Sequence, residues 1–153
     1  MVPGEKMERF FYLFLTMISG VAMSLQLSVN AALGKRIGSL EAGLVSFSSG
    51  TLFLLIVVLL FGSGQFWAFL EAPKWQWTGG ILGIFIVVSM IVVTPKLGVL
   101  VALMVALVGQ MVMSVIIDHY GLFAVDVVPV SWERIVGLLL LLAGMALIVK
   151  SKV

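Results

Sequence analysis

Five apolar runs, each close to or beyond the roughly 20 residues that a helix needs to cross a bilayer, take up most of this chain. Lipid is therefore the solvent in which the sequence has to be read. Hydrophobic residues make up 62% of the chain, charged residues only 10%, and the mean hydropathy is +1.26, values outside the range of soluble globular domains. An unpaired backbone N–H or C=O in hydrocarbon costs several kcal/mol, so spanning segments are helices or closed barrels, and these runs lack the alternation of barrel strands. The expected fold is all-α: a polytopic membrane protein with five transmembrane helices. With 153 residues there is no room for a separate soluble domain, and residues 1–153 read as a single transmembrane domain.

The first run, about 10–33, follows Met-Val-Pro-Gly-Glu-Lys and shows no convincing cleavage site, so it reads as a retained helix rather than a signal peptide. The second, 43–62, ends at Gly62-Ser63-Gly64, residues that favour turns. From Gly79 to Ile117 the chain stays apolar for longer than one crossing needs. Pro95-Lys96-Leu97-Gly98 puts a charge and two helix breakers near its middle, which predicts a tight hairpin of helices 79–95 and 98–117. The fifth helix, 132–149, follows the capping signal Ser131-Trp132-Glu133-Arg134 and stops at Lys150-Ser151-Lys152.

An odd number of spans puts the termini on opposite faces. Lys6, Arg9, Lys74 and Arg134 then fall on the amino-terminal face, and Lys35, Arg36, Lys96, Lys150 and Lys152 on the other. Orientation follows the Lys/Arg bias of short loops, and four against five is nearly a tie. Either both orientations are populated and oppositely inserted copies pair, or flanking context selects one, with the carboxy-terminal face cytoplasmic. Trp67, Trp75, Trp77 and Trp132, with Phe10, Phe11 and Tyr12, gather toward the amino-terminal face as an interfacial belt. The segment Gln65 to Trp77 carries the apolar patch Phe66-Trp67-Ala68-Phe69-Leu70 and is expected to lie along the membrane surface as an anchor, with a substrate gate as the alternative.

In the first helix Thr16, Gly20, Ser24 and Ser28 recur every fourth residue, a ridge small enough for another helix to approach closely. Gln26 and Asn30 form a second, polar stripe on nearly the opposite side. Amides in hydrocarbon must find partners. These two either bond neighbouring helices or line a cavity, where an amide offers a substrate both donors and acceptors. The fourth helix carries Gly98, Ala102 and Ala106 as a packing ridge, then Gln110, Ser114 and Asp118 at the same spacing. Each four-residue step turns the ridge by roughly 40°, so Gln110 and Ser114 are neighbours while Asp118 is far from the face of Gly98. Asp118-His119-Tyr120-Gly121 closes the helix, with glycine as C-cap and histidine at the negative end of the dipole. The alternative role for Asp118 and His119 is a proton relay. Hydroxyls at Ser46, Ser48, Ser49, Thr51, Ser89 and Thr94 rank below the amides, because such groups often bond their own helix backbone.

Several classes are disfavoured. No ionisable residue sits at the centre of a predicted span, which argues against a central proton-exchanging carboxylate and a voltage sensor. The single histidine lies near a helix end with no nucleophile beside it, so no enzyme is expected. Cysteine is absent, and no phosphate loop, metal-ligand cluster or basic stripe appears, so no metal, cofactor or nucleic-acid partner is expected.

The segments Gly20 to Leu33, with Gln26 and Asn30-Ala31-Ala32-Leu33, and Ser46-Phe47 with Gly50-Thr51, resemble the amino-terminal half of the five-helix, half-size (YdcZ-type) members of the drug/metabolite transporter superfamily. Pro95-Lys96-Leu97-Gly98, Gly109-Gln110, Ser114, Asp118-His119-Tyr120-Gly121 and Pro129 to Gly137 are similar to that family's most recognisable segment. The resemblance implies a multi-pass protein of the bacterial inner membrane, half of a ten-helix inverted-repeat transporter completed by an inverted copy of itself or a homologous, oppositely oriented subunit. Four-helix multidrug relatives carry a glutamate in their first helix. Here only Ser24 and Gln26 stand in that region, so their cation/proton exchange does not carry over. The combined expectation is a secondary transporter of a small polar or amphipathic metabolite, working by alternating access as an antiparallel dimer. Gln26, Asn30, Gln110 and Ser114 would line its pathway, with Gly20, Ser24, Ser28, Gly98, Ala102 and Ala106 packing helices. The rival readings are a non-transporting accessory or scaffold subunit and, ranked lower, a passive channel.

Overall fold

The computed structural model describes residues 3–151, so that Met1, Val2 and the charge at Lys152 lie outside the described residues. Five α-helices follow one another: α1 (Pro3–Ile37), α2 (Ser39–Phe61), α3 (Gly79–Leu97), α4 (Val99–Tyr120) and α5 (Trp132–Lys150). Each is long and apolar enough to cross a membrane, and no strand occurs among the described residues. Between α2 and α3 the chain makes two 3₁₀ segments, Phe66–Glu71 and Lys74–Thr78. The Trp77 Nε1–H donates to the Phe69 carbonyl at 3.1 Å, and the Phe69 ring lies 5.4 Å from both Phe66 and Trp77.

The helices overrun the apolar runs that announce them. α1 takes in Lys6, Glu8 and Arg9 at its start and Lys35 and Arg36 in its last turn, because a charged side chain leaves the lipid without interrupting the backbone ladder. The two terminal cations also favour the negative end of the helix dipole. Pro95 lies inside α3 rather than after it. So close to the end of the helix it removes a single ladder bond, the one its missing N–H would give to the Ile91 carbonyl.

The chain divides into two compact units, Met1–Lys96 and Leu97–Val153. In the first, α1 and α2 form a hairpin about Gly38. Its φ of 102° and ψ of 153° belong to a region that only glycine occupies freely. The Gly38 N–H closes α1 on the Gly34 carbonyl at 3.0 Å, and its own carbonyl accepts the Ala42 N–H at 3.0 Å, opening α2 without a gap. On α1 the buried residues Leu27, Asn30 and Ala31 and the half-buried Gly34 fall at i, i+3, i+4 and i+7, one face of a helix. Ala42 and Gly43 of α2 and Ile91 and Thr94 of α3 are buried in the same unit.

Small residues let these backbones approach, and lipid demands it, since apolar association between helices in a membrane rests on close packing. A Cβ added at Gly34 would overlap Ile91 Cγ2, and one at Gly43 would come within 2.9 Å of Val88 Cγ2. The amino-terminal half of α1 is different. From Lys6 to Met23 every residue is exposed.

The second unit is the α4–α5 pair with the link 121–131. Gly98, at φ 80° and ψ 161°, starts α4 as Gly38 starts α2, with its carbonyl accepting the Ala102 N–H at 3.1 Å. At the far end Gly121 (φ 61°) caps α4 with its N–H on the Ile117 carbonyl, and Phe123 and Ala124, also at positive φ, turn the link back on itself. The Val128 N–H then reaches the Asp118 carbonyl at 2.8 Å. Ser131 caps α5 by accepting the Arg134 N–H at 3.4 Å.

Candidate functional site

Two polar loci stand out, one in each unit. The larger is a cleft of about 310 Å³ between α4 and α5, lined by Met111, Ser114, Val115 and Asp118 from one helix and Arg134, Gly137, Leu138 and Leu141 from the other. Both sets fall at i, i+3, i+4 and i+7, so each helix offers a single face. The cleft stays open because two of the facing positions, Ser114 and Gly137, are small. A Cβ built on Gly137 would meet nothing within 4 Å.

At the edge of the cleft Arg134 Nη1 lies 3.2 Å from Asp118 Oδ2, each side chain about one-third exposed, at 38% and 33%. His119, the next residue, points elsewhere, since neighbours on a helix diverge by about 100°. Its Nδ1 accepts the Val130 N–H at 3.5 Å and its ring meets Tyr120 edge-on at 4.8 Å. Asp118 and His119 thus take separate partners among the described residues: the carboxylate faces the cleft and the imidazole ties the link to α4.

The second locus lies inside the first unit. Asn30 is 7% exposed and Thr94 6%, and Thr94 Oγ1 has no hydrogen-bond partner among the described residues. The Ile91 carbonyl beside it lacks its ladder donor because of Pro95. A buried hydroxyl without a partner, beside a proline that has no N–H to give, marks this end of α3 as polar and incompletely bonded.

The remaining sequence candidates are distributed as follows. Gln26, one turn before Asn30, is exposed, as are Gln110 and Ser114 on α4, and only Ser114 of that pair lines the cleft. On the α1 ridge Gly20 is open, and the hydroxyls bond backward to their own helix: Thr16 to the Tyr12 carbonyl at 2.8 Å, Ser24 to Gly20 at 3.4 Å, and Ser28 to Ser24 at 2.9 Å. Ala102 is buried and Ala106 half-buried.

Arg134 is the residue that sequence reasoning missed as part of a site, reading it as a loop charge beside a capping motif. A signal existed. Asp118 sits in the last turn of α4 and Arg134 in the first turn of α5, each at the helix end whose dipole disfavours its charge.

Five spans with polar groups held between apolar helices define a polytopic membrane protein. The family described as "Putative inner membrane exporter, YdcZ" matches residues 11–147, and the chain belongs to it: a small member of the drug/metabolite transporter superfamily and a multi-pass protein of the inner membrane. No curated protein and no solved structure matches the chain.

Proposed function

We propose that the chain is a secondary transporter moving a small polar or amphipathic metabolite, and that two copies in opposite orientation form the working unit. Membership of an exporter family across 11–147 carries the reading. Five spans in half of a transporter favour an inverted partner, because an odd count places the termini on opposite faces. The near-tie of Lys and Arg between the helix ends supports insertion both ways.

In this reading Asn30, Gln26, Gln110 and Ser114 supply neutral hydrogen-bonding groups to the pathway, and alternating access exchanges the conformations of the two copies. Neutral groups suit the membrane interior, since an amide or hydroxyl that loses a partner during transport strands less energy than a charge would. The bonding gap at Thr94 and Pro95 adds a place where α3 gives way.

The test uses two variants locked in opposite orientations by Lys residues added to one face or the other. Each alone should be inactive in vesicles loaded with a metabolite panel, and the two together active. Full activity of either one alone would refute the antiparallel unit. Asn30→Leu should abolish efflux while assembly persists, and unchanged efflux would remove Asn30 from the pathway.

A further inference from the structure

The α4–α5 cleft carries more chemical information than its place in a pathway. We infer that it binds a zwitterion: an ammonium and an anionic group held close together above an apolar tail. Calling that occupant a substrate rests on the transporter reading above.

Asp118 lies where α4 ends in carbonyls and Arg134 where α5 begins in amides, and each is opposed by its own helix. Neither is needed for capping, because Gly121 and Ser131 already close those ends. Helix stability therefore does not account for the pair. A ligand does, because an ammonium placed between Asp118 and the carbonyl end of α4 agrees with both. An anionic group placed between Arg134 and the amide end of α5 agrees with both in the same way.

The pair is held by one contact at 3.2 Å, which leaves most of the five guanidinium donors and one carboxylate oxygen for a ligand. A simple anion that took Arg134 would leave Asp118 uncompensated at the edge of the lipid. A simple cation would do the same to Arg134. Among charged ligands, one that carries both charges keeps Asp118 and Arg134 partnered.

Met111, Val115, Leu138 and Leu141 line the cleft beyond the pair, and about 310 Å³ admits a small aliphatic tail. Ser114 adds one hydroxyl at the side of the ionic edge.

This chemistry occurs in soluble amino-carboxylates and in the ethanolamine headgroup of membrane lipid, and the experiment separates them. Purified protein in a nonionic maltoside detergent, which carries no charge to compete for the cleft, is titrated with labelled leucine against two competitors of the same tail, 4-methylpentanoate, which lacks the ammonium, and 3-methylbutylamine, which lacks the carboxylate. Leucine should compete at least tenfold better than either. Arg134→Gln should erase the preference over the amine, Asp118→Asn the preference over the acid, and Arg134→Lys should keep both in part.

In parallel, native mass spectrometry follows retention of phosphatidylethanolamine. Retention that is lost in both neutral variants, without leucine binding, assigns the same site to the headgroup. The inference is overturned if the wild type binds the three compounds alike or binds none and retains no ethanolamine lipid. It is also overturned if the preferences survive both neutral variants. Vesicle uptake separates the two readings: charge-dependent binding without uptake keeps the site and removes transport. Uptake of any panel member that is indifferent to Arg134→Gln keeps transport and removes the site.

Discussion

The two helix hairpins solve the same problem in opposite ways. Between α1, α2 and α3 the seam is closed: glycines at 34 and 43 bring backbones against Ile91 and Val88, and the buried face runs unbroken through Leu27, Asn30, Ala31 and Gly34. Between α4 and α5 the seam is open. The same i, i+3, i+4, i+7 spacing is used, yet Ser114 and Gly137 leave a cleft that the neighbouring side chains do not fill. A small residue thus has two meanings in a membrane helix. Where a neighbour has moved in against it, it sets the approach of two backbones, and where none has, it leaves a space.

The comparison predicts unequal responses to substitution, read as the thermal unfolding midpoint of detergent-solubilised protein. The largest effect belongs to Gly34→Leu, which drives a side chain into Ile91 and should cost about 3 kcal/mol, the upper end for overpacking. Partial recovery on adding Ile91→Ala would confirm the collision, and a wild-type midpoint for Gly34→Leu alone would break the claim of a closed seam. Gly38→Ala should cost about 2 kcal/mol by forcing a Cβ into a glycine-only backbone region.

Next comes Asp118→Asn, for which less than about 1 kcal/mol is expected, because the lost ion pair is partly solvated and held by a single contact. A loss of several kcal/mol would make the pair a structural bolt and would remove the contrast between the units. The smallest effect has the opposite sign. Gly144→Ala on α5, where an added Cβ meets nothing within 4 Å, should raise stability by about 0.5 kcal/mol through helix propensity alone. A loss there would show that the open side of α5 is covered by something outside this chain.

The number and type of elements were legible because lipid leaves a chain few options: an apolar run of sufficient length must become a helix. Helix ends were less legible. Arg9, Lys35 and Pro95 look like terminators in a hydropathy reading, but charges end only the lipid-facing part, and proline near a carboxy-terminus costs one bond.

The site residues divide on a physical line as well. Asn30 and Gln26 carry the same chemistry at adjacent turns, yet Asn30 shares the buried face of Leu27 and Ala31 while Gln26 is exposed, a tertiary outcome that no local pattern announces. Thr94 ranked low because a helical hydroxyl usually bonds its own backbone. Here, among the described residues, Oγ1 has no such bond, whereas Thr16, Ser24 and Ser28 do what the general rule says. Arg134 and Asp118 were each visible, but as separate features of two helix ends. Their relation needed the fold of the link 121–131, whose positive φ angles at Phe123 and Ala124 are not written in those residue types.

The unequal helix lengths have a mechanical consequence. The apolar stretch of α1 from Phe10 to Gly34 measures about 37 Å along its axis, whereas the whole of α5, with Glu133, Arg134 and Lys150 counted in, measures about 28 Å. A hydrocarbon layer of about 30 Å fits the shorter helix upright and leaves the longer one with slack. Hydrophobic mismatch therefore falls on α1, which must lean or lift its aromatic end into the headgroups, while α5 acts as the gauge of bilayer thickness.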